Sequence, residues 1–491
     1  MLLSLPAHAA AQGYRVDRIA SGLDQPTFIT QAPGDPANIL YFTERTTNPV
    51  GGFDVNNAMG KVWRYDVNTR AKTVVLDLSA RGVRQDTGLS GIAFHPDFNV
   101  PASPGFGKMY VSSAERGTSP INRIEEYTVP ASGPAAFSRT ILQYNNTGTV
   151  NNNHTVNWLG FDPAATGPAR GYLHVSTGDG TYGLANRPSQ NPADLQGKIL
   201  RLDVTPGAPD AYPGDGNKNF AIPGSNPLPA YNAAHPGTPI AGLGEVYVTG
   251  VRNASRVSFD RANGDLYVAD VGENKAEELN FIKAGSNTGI TPPVDLGWPR
   301  REGTQDGLSS PFTKTNPFTG VTSLEPIRTY PNPSPGAVAI IGGYRYRGPV
   351  AALQDKYFFA DFVGGNISML DFDRDSAPAG FNGANGTLTD LTALWNSLVI
   401  DPSDPSYTPA VGAVHGIDHV VSFGEDNAGN LYIVDFGPGT GFAGQYPAAG
   451  LGEIFRITIP EPASLGLLAM PALLLARRPR TTRRRSRRTG R

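Results

Sequence analysis

Six times along the chain, a turn residue is followed by an aromatic or β-branched strand that stops at an acidic or small polar residue. The copies are NILYFTE (Asn38 to Glu44), GKMYVSSAE (Gly107 to Glu115), GYLHVSTGD (Gly171 to Asp179), GDLYVAD (Gly264 to Asp270), DKYFFAD (Asp355 to Asp361) and GNLYIVD (Gly429 to Asp435). One such unit cannot bury its own apolar faces, so the copies must pack on one another. They recur about 65 to 95 residues apart over the whole body, which favours radial repetition over a two-sheet sandwich. The expectation is all-β: a six-bladed β-propeller. The spacing exceeds the roughly 40 to 50 residues of a compact blade, so long loops are inserted, the longest being Asn186 to Gly244 and Asn287 to Thr329. Loops on a rigid scaffold are where function sits. No helical periodicity of useful length and no linker interrupt the pattern, so residues 12–458 read as one domain.

Composition agrees with a loop-rich folded chain. There are 58 glycines and 43 prolines, yet 39% of residues are hydrophobic, too many for disorder. The net charge of −2 hides an asymmetry, because nine of the 41 lysines and arginines lie between Arg477 and Arg491. The body is therefore acidic and offers nucleic acid no extended basic surface. With no cysteine in the chain, disulfides, thiolate metal sites and cysteine nucleophiles are excluded. Any catalysis uses oxygen, imidazole or a cofactor.

Both ends read as targeting segments. Residues 1–11 carry a short apolar run and Ala7-His8-Ala9, which resembles the remnant of a secretory signal with its cleavage site. Residues 459–491 run Pro460-Glu461-Pro462, an apolar stretch, then the arginine cluster. That order resembles the PEP-CTERM sorting signal of exported bacterial proteins. The stretch contains Pro471 and is short of the about 20 residues a stable span needs, so a transient sorting anchor is expected, with the arginines on the cytoplasmic side. A basic nucleic-acid tail leaves the PEP triplet unexplained. The location implied is outside the cytoplasm: periplasm, cell envelope or medium. Contact with a membrane comes only through this segment, which sorting and processing machinery would handle.

No lone motif decides the chemistry, since GxSxG, a Walker loop, HExxH and paired CxxC are all missing. PGDGNKN (Pro213 to Asn219) and DVGENKAEE (Asp270 to Glu278) concentrate oxygen ligands and glycine as calcium loops do. Neither has EF-hand spacing, and acidic surface turns look the same. Among the seven histidines, His95 and His174 read as structural. His415 and His419, flanking Asp418, stay open. His154, in NNNHTVNWLGFDP, is a base candidate or a polar turn residue.

Taken in order, the motifs resemble the glucose/sorbosone dehydrogenase family, soluble quinoproteins on a six-bladed propeller. GLSGIAFHPDF (Gly88 to Phe98), HTVNWLGFDP with GYLHVSTGDG, LQGKILRLD (Leu195 to Asp203), VRNASRVSFDRANGDLYVADVGENKAEELNFI (Val251 to Ile282), LGWPRREG (Leu296 to Gly303), GGYRYRG (Gly342 to Gly348) and SFGEDNAGNLYIVD (Ser422 to Asp435) follow in family order. The resemblance implies pyrroloquinoline quinone and Ca2+ as cofactors, a sugar as substrate and a separate electron acceptor. It places His154 on the catalytic histidine and Asp179 on the aspartate that holds it. Arg252 and Asn253 fall on the pair facing the quinone, and Gly272 and Glu273 on the carbonyls that bind its calcium. Asp86 stands where the family has a glutamine that contacts the cofactor.

The chemistry suits these residue types. An imidazole near its ordinary pKa of about 6.5 takes a hydroxyl proton, and a carboxyl behind it fixes the tautomer. The departures are basic residues. Where the family's glucose enzymes have a quinone-binding lysine the chain reads Val363-Gly364-Gly365, and where they have an arginine pair it reads Gly416-Ile417-Asp418. Arg300, Arg301, Arg345 and Arg347 are the loop cations available to compensate. The leading expectation is an exported quinoprotein dehydrogenase of a sugar or related alcohol or aldehyde. The alternatives are a non-catalytic carbohydrate- or envelope-binding propeller with a decayed cofactor site, and a calcium-dependent propeller lactonase.

Overall fold

A computed structural model describes residues 13–47, 58–83, 88–115, 120–146, 154–180, 188–308, 313–333, 338–375, 385–408, 416–438, 450–460 and 490. The chain divides into two units, Met1–Ile459 and Pro460–Arg491. The proposed signal remnant and nearly all of the sorting segment lie outside the described residues.

Each repeat copy forms the second strand of an antiparallel blade of four strands, to which blades 3 and 6 add a short parallel fifth. Blade 1 starts with Pro26–Thr30 and Ile39–Thr47, blade 2 with Leu89–Phe94 and Lys108–Glu115, and blade 3 with Val156–Phe161 and Tyr172–Thr177. Blade 4 starts with Ala254–Phe259 and Leu266–Asp270, blade 5 with Ile340–Arg345 and Tyr357–Asp361, and blade 6 with Val420–Glu425 and Leu431–Asp435. The first strands touch their neighbours all the way round, 1 to 6 and back to 1, so the protein is a closed six-bladed β-propeller with these strands around its axis. The second strands are apolar on both faces because each is sandwiched between adjacent blades; Leu266–Asp270 and Leu431–Asp435 are buried at every position. An outer strand such as Ala136–Asn145 meets water along much of its length. The N-terminal strand Arg15–Leu23 closes the ring by pairing antiparallel with Gly452–Thr458 of blade 6. Arg18 reinforces the closure with buried bonds to Asp401 (2.9 Å) and Glu453 (2.6 Å).

The acid ending a repeat has a structural duty in four blades. Glu44, Asp270, Asp361 and Asp435 face the first residue of the neighbouring inner strand. There they accept N–H groups from the loop entering that strand: Asp24 N to Glu44 at 3.0 Å, Ala339 N to Asp361 at 2.9 Å, and His419 N to Asp435 at 2.6 Å. In blades 2 and 3 the facing residues are Ser113 and Thr177 instead. The acid comes two residues later, as Glu115 and Asp179, and is released from this capping role.

The first expected loop, Asn186 to Gly244, is not one insertion, since it contains Lys198–Asp203, the third strand of blade 3; the second, Asn287 to Thr329, follows the third strand of blade 4. The first carries the helix Pro227–Ala234, which begins at Asn226-Pro227 and is too short for an amphipathic period to register in sequence. The second climbs the outer edge of blade 3 as the parallel strand Val294–Asp295. It thereby delivers Leu296 to Glu302 to the end of the ring where the inner strands begin.

Candidate active site

His154 lies two residues before the inner strand of blade 3, and Asp179 two residues after the second strand of that blade. Gly178 lets them meet: a Cβ there would stand 2.6 Å from the Cβ and carbonyl carbon of His154. Asp179 Oδ1 is 2.6 Å from His154 Nδ1. A hydrogen on Nδ1 is the arrangement this contact selects, leaving Nε2 as the nitrogen that can accept a proton. Both side chains are nearly enclosed, His154 at 6% exposure and Asp179 at 3%.

Asp179 also gathers the neighbouring loops. Its Oδ2 accepts the indole N–H of Trp298 at 2.8 Å, and its backbone N–H donates to the Arg252 carbonyl at 2.8 Å. The Arg252 guanidinium packs over the Trp298 ring, 5.4 Å from its centroid. It donates to Val271 O at 3.0 Å and to the Glu273 carboxyl through both Nε, at 2.9 Å, and Nη2. The N–H groups of Arg252 and Asn253 are held by Asp270 at 2.8 and 2.6 Å. Burial pushes the Asp270 carboxyl up, while those two bonds pull the other way. Asn157 donates to the Asn253 side chain at 2.5 Å. His154, Asp179, Arg252 and Asn253 therefore converge at one mouth of the axis.

Gly272 and Glu273 sit in a loop organised by one buried carboxyl group. Glu302 Oε1 accepts the N–H groups of Glu273, Asn274, Lys275 and Ala276 at 2.7, 2.9, 2.8 and 3.2 Å. In a trans peptide the C=O points opposite to the N–H, and these peptides are trans. The carbonyls of Gly272 and Glu273 accordingly turn away from Glu302, side by side. Gly272 has no room for a side chain, since a Cβ would fall 2.0 Å from Ala276 O.

The remaining sequence candidates divide clearly. Asp86 and His415 lie outside the described residues. His174 is walled by Tyr247 and Phe259, and burial pushes it well below its ordinary value; His95 accepts the Asp97 N–H. Both are structural. PGDGNKN forms an exposed turn in which Asp215 accepts Asn217 N, and among the described residues no cluster of three or more His, Asp or Glu is arranged to hold a metal. Val363–Gly365 and Gly416–Asp418 do come together at the same mouth, Gly365 lying against the Asp418 carbonyl. The compensating arginines do not all join them. Arg345 ends its inner strand at the far mouth and Arg347 follows it there, paired with Asp260 and Asp355. Arg301 is tied to Asp306 at 2.6 Å. That far mouth holds a cavity of about 290 Å3 lined by Phe28, Trp158, Phe259, Tyr344, Arg261 and Glu425, with none of the candidate residues in it.

Trp298 and Glu302 were missed as site residues, although LGWPRREG was among the ordered motifs. Their signal was present only as unexplained aromatic and acidic residues in a long loop. Behind them, Lys198 is wholly buried, donates to the Pro188 and Gln196 carbonyls, and is pushed down to about 7 by burial. Gln190 of the same turn holds Gly297 O at 2.9 Å.

A carboxyl-braced histidine and an Arg-Asn pair thus stand together at one axial mouth of a six-bladed propeller. The pattern of the Glucose / Sorbosone dehydrogenase family matches residues 47–382, and the chain belongs to that family. It is 29% identical to the HIPL1 protein of Arabidopsis thaliana over 54% of this chain and 36% of that protein. It is 23% identical to the Hedgehog-interacting protein of Homo sapiens over 85% of this chain and 50% of that protein. The chain thus spans half or less of the length of these curated relatives. Among solved structures, the apo soluble aldose sugar dehydrogenase of Escherichia coli shares the fold, with a TM-score of 0.54 and 16% identity over 91% of this chain and 99% of that one. A glucose dehydrogenase-type oxidoreductase of Thermus thermophilus superposes with a TM-score of 0.57 at 18% identity, covering 90% and 99%.

Proposed function

We propose that this chain is an exported, quinone- and calcium-dependent dehydrogenase of a sugar or a related alcohol or aldehyde, passing electrons to a separate acceptor. The observation that carries the reading is the 2.6 Å contact between His154 Nδ1 and Asp179 Oδ1 in a nearly enclosed site. The side-by-side carbonyls of Gly272 and Glu273 fit a hard cation, and Arg252 and Asn253 fit the dione edge of pyrroloquinoline quinone. Cations for its carboxylates are missing at Val363–Gly365 and Gly416–Asp418. When bound, the quinone supplies a hydride acceptor.

The chain's own residues supply the rest. His154 Nε2 takes the substrate hydroxyl proton as the C–H bond is broken. Asp179 holds the ring in the needed tautomer and offsets the positive charge of the imidazolium. Trp298 keeps the second Asp179 oxygen occupied, so the carboxyl stays aimed at Nδ1. Arg252, partly neutralised by Glu273, presents a guanidinium to developing negative charge. Export and handling by a sorting system belong to this reading, supported by Ala7-His8-Ala9 and by the order of Pro460-Glu461-Pro462, apolar stretch and arginine cluster.

A second reading, a carbohydrate-binding propeller without turnover, is favoured by the missing basic residues. One assay separates the two. Purified protein is given calcium, pyrroloquinoline quinone and a panel of sugars with a dye acceptor. Dye reduction supports the dehydrogenase. Sugar binding with no quinone binding at micromolar concentration sinks it.

A further inference from the structure

Arg256 lies within the family-like segment Val251 to Ile282, where it was given no role. It is the third residue of the blade 4 inner strand, only 8% exposed. Its guanidinium donates to Thr27 O at 2.5 Å, Asn157 O at 3.1 Å, Ser255 O at 3.0 Å and Ser422 Oγ at 3.0 Å. Those acceptors belong to blades 1, 3, 4 and 6. Blades 1 and 4 stand opposite each other in a ring of six, so a side chain from one that reaches the other crosses the axis. Arg256 therefore closes the channel one layer beneath the loops that carry His154, Arg252 and Asn253. Asn157, whose carbonyl it holds, is bonded through its side chain to Asn253. The far-mouth cavity begins on the other side, with Phe28 in its wall and 5.8 Å from the guanidinium carbon.

All four acceptors are neutral, and among the described residues no carboxyl group pairs with Arg256. Four of the five guanidinium N–H groups are satisfied, but no described carboxyl group balances the charge. A buried cation without a countercharge is costly. Burial and the neighbouring Arg45 press Arg256 down to about 10.

We propose that Arg256 is the anion-binding floor of the His154 site, placed on the axis in lieu of the cations missing at Val363–Gly365 and Gly416–Asp418, and that it selects a planar polycarboxylate over a neutral ligand of the same shape. The inference rests on reading that mouth as a cofactor site. The remaining Nη2 hydrogen, and a charge that no described carboxyl group balances, are what the anion meets.

Calorimetric titration of the full chain in calcium-free buffer tests this with pyrroloquinoline quinone, with pyridine-2,6-dicarboxylate and with the neutral pyridine-2,6-dicarboxamide. The expected result is binding of both anions, weakening as salt is raised, and at least tenfold weaker binding of the diamide. Arg256→Met is expected to lose about 10- to 100-fold in anion affinity, the range for a charged hydrogen-bonding partner, while Arg256→Lys retains most of it. Equal wild-type affinity for diamide and dicarboxylate overturns the proposal, and does so even if Arg256→Met does not fold. A folded Arg256→Met that binds the dianion like wild type also overturns it and leaves Arg256 a steric plug. Arg256-dependent anion binding with no dye reduction upholds this inference and defeats the dehydrogenase reading. Dye reduction with unchanged anion affinity in Arg256→Met does the reverse.

Discussion

Glu302→Ala removes the single acceptor of four consecutive N–H groups. Asn274 is exposed, and Glu273 and Lys275 are half-buried, so water can reach part of this loop; Ala276 and Gly272 are buried. A stranded buried donor costs about 1–3 kcal/mol. With roughly half of the four left unsatisfied and the loop partly relaxing, the loss is about 3–5 kcal/mol. At about 2.1 cal/mol/K per residue, a chain of this size unfolds with an entropy near 1 kcal/mol/K, so Tm falls by about 3–5 °C. Glu302→Gln keeps an oxygen of nearly the same reach and is expected to lose about a third as much. The same substitution also releases the carbonyls of Gly272 and Glu273 from their shared direction, so calcium affinity drops at least tenfold in Glu302→Ala. Differential scanning calorimetry and calcium titration measure the two effects. A Glu302→Ala protein that melts within 1 °C of wild type and binds calcium equally well would refute the account of this loop.

His154→Ala should cut turnover by roughly 10² to 10⁴ while leaving quinone affinity largely intact; if rate and affinity fell together, His154 would be a binding or structural residue instead. Gly178→Ala should separate His154 from Asp179, because the new Cβ collides with His154. Its activity loss should approach that of His154→Ala, and retention of most activity counts against the dyad. Stability should fall as pH rises from about 4 to 7; above that, the buried Lys198, pushed down to about 7, regains stability with pH and opposes the last of the loss. Burial raises Asp295 to about 6, Asp435 to about 7 and Glu425 to about 8. Each group contributes stability that is complete below the unfolded value near 4 and is lost as pH rises through the folded one. A melting temperature flat or rising over that window removes the premise that these carboxyls are buried.

The fold was legible because its signal is local and repeated. A strand sandwiched between blades must be apolar on both faces, and six such strands with a terminal acid predict six blades without any contact information. Asp179 was legible in a subtler way. Its offset of two residues from the capping acids is visible in GYLHVSTGD, but only the pairing register shows that Thr177 occupies the capping position and leaves the aspartate to His154. Trp298 was not legible as a site residue, because 119 residues of chain separate it from the Asp179 it holds. Arg345 does not compensate for a related reason: it ends its inner strand, and the strand's length places it at the other mouth.

Sequence alone determined the repeat, the all-β class, the acidic body and the chemistry available without cysteine, since these follow from residue type and short-range periodicity. Only tertiary structure decided which polar groups share a space. Closing six blades into a ring brings Arg256 to within hydrogen-bond reach of Thr27, 229 residues away, and sets a buried positive charge beneath His154. That placement depends on ring closure and on burial, neither of which is written in any short stretch of the chain.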